Sequence, residues 1–343
     1  MRIGNREIGI NHRPYIIAEI GVNHDGDADR AKLLARDAAD AGADAVKLQY
    51  FHPQRLLSNQ AGLAEYQVAA DETDVADMLG RLTLGLDEVR EVVAVVRELG
   101  LKLVVTPFSE GDVDDLAELD LDAVKIASPD AVNPVLLEKA AGLGVPLLIS
   151  TGTCDLDELQ YAAELLQSHE AGGAFLQCVS SYPTPADQAA LAGIAAMQNR
   201  FGLPVGYSDH TQEIITGALA VAAGACVVEK HLTHNRNASG PDHAVSFEPD
   251  ELADYIVITR QAEAMLGPIA KDVQPVEREV RNLSRQSVAI KEDLKAGEIL
   301  QAEHLEVRRP GTGVPAMLLH EVIGKTLAED KTAHDILFER DLI

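Results

Sequence analysis

Two lysines, two histidines and a set of acids and hydroxyls stand in this sequence where apolar runs come to an end. The runs "AVKLQYF" (45–51) and "AVKIASP" (123–129) carry Lys47 and Lys125 among residues suited to a sheet interior. A third run, "CVVEKHLT" (226–233), delivers Glu229, Lys230 and His231 directly after two valines. Lysines inside hydrophobic strands of an acidic chain are unexpected, and with hydroxyls beside them they make an anion site for phosphate or carboxylate, where charge-assisted hydrogen bonds add up. Pairing of each lysine with a neighbouring acid is the alternative. His210 and His231 could meet across one divalent ion, and two imidazoles plus waters leave positions open for Lewis-acid chemistry. Side chains alternate along a strand, so Glu229 and His231 share one face. His24, His234 and His243 lie in loop-like stretches and are expected to face solvent or substrate rather than bind a metal.

The elements that must hold these groups recur along the chain. Short β-rich runs occupy 15–21, 45–51, 103–109, 123–129, 146–151, 174–183, 204–210 and 226–233. Between them lie Ala- and Leu-rich stretches such as 29–43 and 86–100, whose apolar residues recur at three and four and several of which end in Gly, as helices do. Eight strand–helix units over about 250 residues match a parallel (β/α)8 barrel; an open doubly wound sheet is the alternative, but the Gly-rich first turn is absent. The strand ends then supply Glu19, Lys47 and Gln49, Thr106, Lys125 and Ser128, Ser150, Ser180 and Tyr182, Ser208, Asp209 and His210, and Glu229 and His231. In a barrel all of them converge on one mouth, where this fold keeps its active sites. A solvated strand end explains any one of them, but not the whole set.

A last barrel helix fits 248–268, with acids in its first turn and Gly267-Pro268 as a stop. The expected organisation is a barrel over 1–268, a polar linker over 269–285 and a small β-rich module over 286–343. That module contains an internal echo, "EDLKAGEILQAEHL" (292–305) returning as "EDKTAHDILFERDL" (329–342), which suggests pseudo-twofold symmetry.

Of 343 residues, 29 are Lys or Arg and 55 are Asp or Glu, a formal net charge of -26. A general basic surface for nucleic acid or anionic membrane is thereby excluded. Cys154, Cys178 and Cys226 are too scattered for a disulfide framework or a zinc motif and suit small buried residues in a reducing compartment. The start lacks the apolar core of a signal peptide and no run has the length of a membrane span, so a cytoplasmic location is expected.

The segments "IAEIGVNHDGD", "AVKLQYF", "VTPFS", "KIAS", "LISTG", "SSYPTP", "GYSDHT", "EKHLT" and "GPDHAVSFEP", in that order, resemble the sialic acid synthase family of nonulosonic acid synthases. The tail "GEIL…HLEVRRPGTGV" resembles that family's SAF domain, related to type III antifreeze proteins. The resemblance covers essentially the whole chain. It implies condensation of phosphoenolpyruvate with an N-acylated mannosamine-type aldose, releasing phosphate and a nine-carbon 2-keto-3-deoxy acid.

By the same resemblance, Lys47, Thr106, Lys125, Ser128, Ser150 and Ser208 would hold phosphoenolpyruvate, and His210 and His231 would bind Mn2+ or Mg2+. Asp242 and Tyr182 would contact the sugar, with Gln49, Asp130 and Ser180 as further substrate contacts. Glu19 and Glu229 match acids of the family's mouth, suited to water or proton handling. Arg309 would reach the site of a partner subunit in a domain-swapped homodimer, while Arg308 stays solvated. The chain departs from the family at "SPD", where Asp130 replaces a longer acid, at Ser180, where some members have Asn, and over 71–79, which lacks the Asn of the neuraminic acid type. The acceptor sugar is therefore left open. A metal-dependent aldolase or isomerase on the same fold, and a binding protein working through its antifreeze-like tail, are the competing readings.

Overall fold

Each apolar run becomes a strand: β1 Tyr15–Gly21, β2 Ala45–Tyr50, β3 Lys102–Pro107, β4 Ala123–Ile126, β5 Leu147–Ser150, β6 Gly173–Cys178, β7 Val205–Asp209 and β8 Val227–His231. In the computed structural model they close in sequence order into an all-parallel barrel, with β8 pairing back onto β1. The runs at 123–129 and 174–183 stop early. Ser128 opens a 3-10 turn, Ser128–Val132, and Ser180 and Tyr182 follow the end of β6, so these three lie on loops beyond their strands. Residues 1–10, 12–58, 61–62, 73–267 and 270–343 are described; part of the 71–79 segment and Pro268 fall outside them.

The outer helices form for local reasons. In α1, Ala28–Asp40, the side chain of Asp27 accepts from the backbone N–H groups of Asp29 and Arg30, and Ala31, Leu34, Ala35 and Ala38 make the buried stripe. In α2, Val75–Leu82, Asp74 caps Ala76 and Asp77 in the same way, and Met78 and Leu82 face inward. The last barrel helix, Pro249–Leu266, starts on Glu248, whose N–H donates to Glu251 at 2.9 Å, and stops at Gly267 in a left-handed φ of 62°. Among the described residues no helix is long and apolar enough to cross a membrane.

The chain divides into two compact units, Met1–Pro268 and Ile269–Ile343. In the second, the stretch read as a linker carries a short helix, Arg278–Ser284, rather than irregular chain. The internal echo is structural. Both copies fold alike, with left-handed Gly297 matched by His334 and the 3-10 turn Ala302–His304 matched by Glu339–Asp341. The copies clasp each other reciprocally: Leu294 N donates to Lys331 O and Lys331 N to Leu294 O, at 2.9 and 3.0 Å. Ala296 N likewise donates to Asp330, and Ala333 N to Asp293.

Candidate active site

Strand register places the chemistry side by side. His231 lies opposite Glu19, Glu19 opposite Lys47, Gln49 opposite Thr106, and Glu229 opposite Ser208. Their side chains converge with those of Lys125, Ser128, Ser150, Ser180, Tyr182, His210 and Asp242 on one cavity of about 330 Å3 at the C-terminal end of the barrel. Glu19 stands just behind the cavity wall, and Asp130 lines an adjoining cavity. Arg309 belongs to the second unit and is exposed.

Lys47 holds the centre of the charged set. Its Nζ lies 2.6 Å from Glu19 Oε2 and 2.7 Å from Glu229 Oε1, so the expected alternative of lysine–acid pairing is present. Ser208 donates to the same Glu229 oxygen at 2.9 Å, and Lys125 Nζ stands 3.9 Å from it. Burial pushes Lys47 down to about 8 against the pull of Glu229. Burial acts to raise Glu229, but the charges of Lys125 and Lys47 outweigh it and hold this carboxyl at about 2. Thr106 Oγ1, Ser150 Oγ and Glu229 Oε2 are buried without a hydrogen-bond partner among the described residues. Unpaired buried polar atoms are costly, so such a cluster at one mouth points to a polar ligand. Close approach also explains two glycines: a Cβ at Gly21 would overlap Glu19 and Gln49, and one at Gly152 would overlap Ser180 Oγ.

His210 and His231 stand with ring centroids 5.4 Å apart, and Tyr182 stacks 4.1 Å from His210. His210 Nδ1 sits 2.8 Å from Val179 O; as the N–H donor there, it leaves Nε2 with its lone pair. Burial acts to lower His210, but Cys178 and the Val179 carbonyl outweigh it and raise this imidazole; burial, with the charges of His210 and Lys47, pushes His231 well below the ordinary imidazole range. Two adjacent imidazoles beside Asp242, whose Oδ2 is 3.5 Å from His231 Nδ1, suit a divalent ion. By spacing alone His52, Asp112 and Asp115 could also hold a metal. There, however, Arg55 Nη1 already lies 3.0 and 2.7 Å from the two carboxylates and supplies the balancing cation.

Two readings are corrected. Asp209 ends β7 but faces away from the mouth. Its Oδ2 accepts from Tyr255 and its Oδ1 from Thr211, with wholly buried Lys230 Nζ 3.8 Å away over the Phe247 ring. His24 and His243 do not face solvent; both are buried, and burial pushes His24 down to about 4. Arg308 is exposed, as expected, and donates to Glu306.

Sequence reasoning missed a clasp between the loops after β1 and β8. Asn23 Nδ2 donates to Leu232 O and Ser246 Oγ at 2.9 and 2.7 Å, and Ser246 donates to the carbonyl of Asp242 at 2.6 Å. His243 bridges Asp25 Oδ1 at 3.0 Å and Thr233 Oγ1 at 2.7 Å. The polar segments "NHD" and "PDH" were the available signal. It also missed Cys178, whose Sγ lies 3.7 Å from His210 Nδ1.

A parallel (β/α)8 barrel with a lysine- and histidine-lined mouth, joined to a small β-rich module, defines a class of synthase-type chains. Comparison then identifies the family. The NeuB family model matches residues 34–271 and the SAF domain model residues 285–343, and the chain belongs to the NeuB family, that of the sialic acid synthases. An N,N'-diacetyllegionaminic acid synthase of Campylobacter jejuni is 37% identical over 95% of this chain and 99% of its own length. The N-acetylneuraminate-9-phosphate synthase of Homo sapiens is 32% identical over 97% of this chain and 95% of its own. Among solved structures, the N-acetylneuraminic acid synthetase of Leptospira borgpetersenii superposes with a TM-score of 0.75 at 32% identity, covering 82% of this chain and 94% of that one.

Proposed function

We propose that this chain condenses phosphoenolpyruvate with an N-acylated mannosamine-type amino sugar and water, giving a nonulosonic acid and phosphate. The observation that carries the reading is the Lys47–Glu229–Lys125 cluster with unpaired Thr106 and Ser150 hydroxyls in the same cavity as the histidine pair. Phosphoenolpyruvate offers a carboxylate and a phosphate on a small planar frame. Two cations and several hydroxyl donors at one mouth match that pattern of acceptors.

Lys47 and Lys125 would neutralise the anion, and Ser128, Ser150, Ser208 and Thr106 would orient it by donating hydrogen bonds. Its enol carbon then attacks the aldehyde of the sugar, and the resulting cationic carbon takes up water before phosphate leaves. Holding both reactants in one cavity offsets the entropy of joining them. Glu229, held at about 2, is a poor base at neutral pH; it serves as a fixed counter-charge whose free Oε2 can orient the attacking water. Glu19 fixes Lys47 from the other side, and the clasp that carries Asp242 steadies the sugar end. Mn2+ or Mg2+ held by His210 and His231 would polarise the aldehyde oxygen. Arg309 would act in the mouth of a second copy in a domain-swapped homodimer, orienting the sugar there.

The test is phosphate release by the full chain. Release is expected only when phosphoenolpyruvate and an amino sugar are both present, lost on chelation and restored by Mn2+. Sugar cleavage or isomerisation without phosphoenolpyruvate would favour the aldolase or isomerase reading instead.

A further inference from the structure

His210 and His231 are held in different ways. His231 closes β8, where it pairs with Glu19 of β1, and its carbonyl accepts from the Phe247 N–H at 2.9 Å. β7 ends one residue before His210, and its last pair with β8 joins Asp209 to Lys230. The carbonyl of His210 accepts from Thr184 N, in the loop after β6, at 2.9 Å. On the side of β8, however, the main chain that carries His210 lies beyond the ladder and needs another partner to fix where its ring stands.

Lys230 supplies that partner. It directly precedes His231, so its side chain takes the opposite face, and it is wholly buried behind the mouth. Its Nζ donates to the carbonyls of Asp209, at 3.4 Å, and of Thr211, the residues before and after His210. The Asp209 carboxylate completes the turn. Its Oδ1 accepts from the N–H and the hydroxyl of Thr211, both at 2.8 Å, and its Oδ2 from Tyr255 at 2.8 Å. The Phe247 ring, 4.1 Å from Lys230 Nζ, ties the same ammonium to the segment that holds the His231 carbonyl. Neither Lys230 nor Asp209 lines the cavity. As a source of stability alone such a buried pair is weak, because apolar residues of equal volume serve as well. Resting on the metal site proposed above, we infer that Lys230 and Asp209 are positioning residues. By gripping the main chain on both sides of His210, they set the spacing and orientation of the two imidazoles for a divalent ion.

The affinity of the full chain for Mn2+, read without turnover from the electron paramagnetic resonance signal of the free ion, tests this. Folded Lys230→Met should bind Mn2+ about tenfold to a hundredfold more weakly than the parent chain, the usual cost of losing a group that orients a metal ligand. Its affinity for phosphoenolpyruvate, by calorimetry without metal, should be unchanged. Tyr255→Phe keeps the shape of the core but frees Asp209 Oδ2, and should weaken Mn2+ binding by about threefold or more. Should Lys230→Met fail to fold, Tyr255→Phe decides alone. A role in stability only would lower the denaturation midpoint and leave Mn2+ affinity at the parent value. That result in either folded variant, or an equal loss of phosphoenolpyruvate affinity, would overturn the inference and leave the metal site standing. Mn2+ binding that is absent from the parent chain, or that survives His210→Ala, would overturn the metal site and the inference with it.

Discussion

The two ends of the barrel interior are built by the same eight strands and by the same alternation, yet they are chemically opposite. At the N-terminal end the inward positions are Ile17, Ala45, Val104, Ala123, Leu148, Ala174 and Val227, and Ile3 and Ile8 from the start of the chain, where Arg2–Ile3 pairs antiparallel with Arg6–Glu7, join this cluster. One alternation further along, the inward positions become Glu19, Lys47, Thr106, Lys125, Ser150 and Glu229, and Cys178 follows the plug residue Leu176 by the same step. A step of one pleat thus turns a sealed apolar plug into a charged mouth. Close packing at the bottom offsets the cost of leaving polar atoms unpaired at the top. Stability and chemistry should therefore separate along the barrel axis.

The sharpest way to break that separation is Lys47→Met. It leaves Glu19 and Glu229 facing each other in a buried site, and removing one partner of a buried pair costs about 3–5 kcal/mol. The free energy of unfolding in denaturant should fall by that amount and turnover should vanish, because Lys47 serves both the fold and the chemistry. Leu148→Ala, in the plug, should destabilise by about 2–5 kcal/mol while the folded enzyme keeps its KM for phosphoenolpyruvate. An altered KM there would mean that the ends are not independent.

A smaller effect is expected from His243→Ala, which removes the bridge between Asp25 and Thr233 while the Asn23 bonds of the clasp remain. The loss of about 1–3 kcal/mol should appear in kcat/KM for the sugar, with phosphoenolpyruvate affinity by calorimetry unchanged. A further effect lies in the acid limb. Glu229 is depressed from 4.5 to about 2, so its stabilisation is complete above 4.5 and is lost as pH falls through about 2. Midpoints measured across that window should fall less steeply in Glu229→Gln than in the parent chain.

The barrel was legible because its period-two and period-three-to-four patterns alternate cleanly along the chain, and β1 begins and ends where its apolar run does. The mouth was legible for the same reason: Lys47 and Lys125 stand out only once Ala45 and Ala123 mark the inward column. What the pattern does not carry is loop geometry. His24 and His243 look like exposed loop histidines, because nothing local records that the loops after β1 and β8 bury each other. Asp209 was misplaced because a strand end gives no hint of which face its last residue takes when Tyr255 waits on the other side. The adjoining cavity beside Asp130 was invisible as well, since Val22, Phe51 and Met78 come from three separate elements.

The central claim is that the polar end of the barrel drives attack by the enol carbon, followed by water addition and loss of phosphate. Phosphoenolpyruvate carrying oxygen-18 in its bridging position tests this most directly in a reaction with the amino sugar. Collapse of the tetrahedral intermediate breaks the carbon–oxygen bond, so mass spectrometry should find the heavy oxygen in the released phosphate. Heavy oxygen retained in the keto acid would mean that the phosphorus–oxygen bond had broken instead, and would contradict the account.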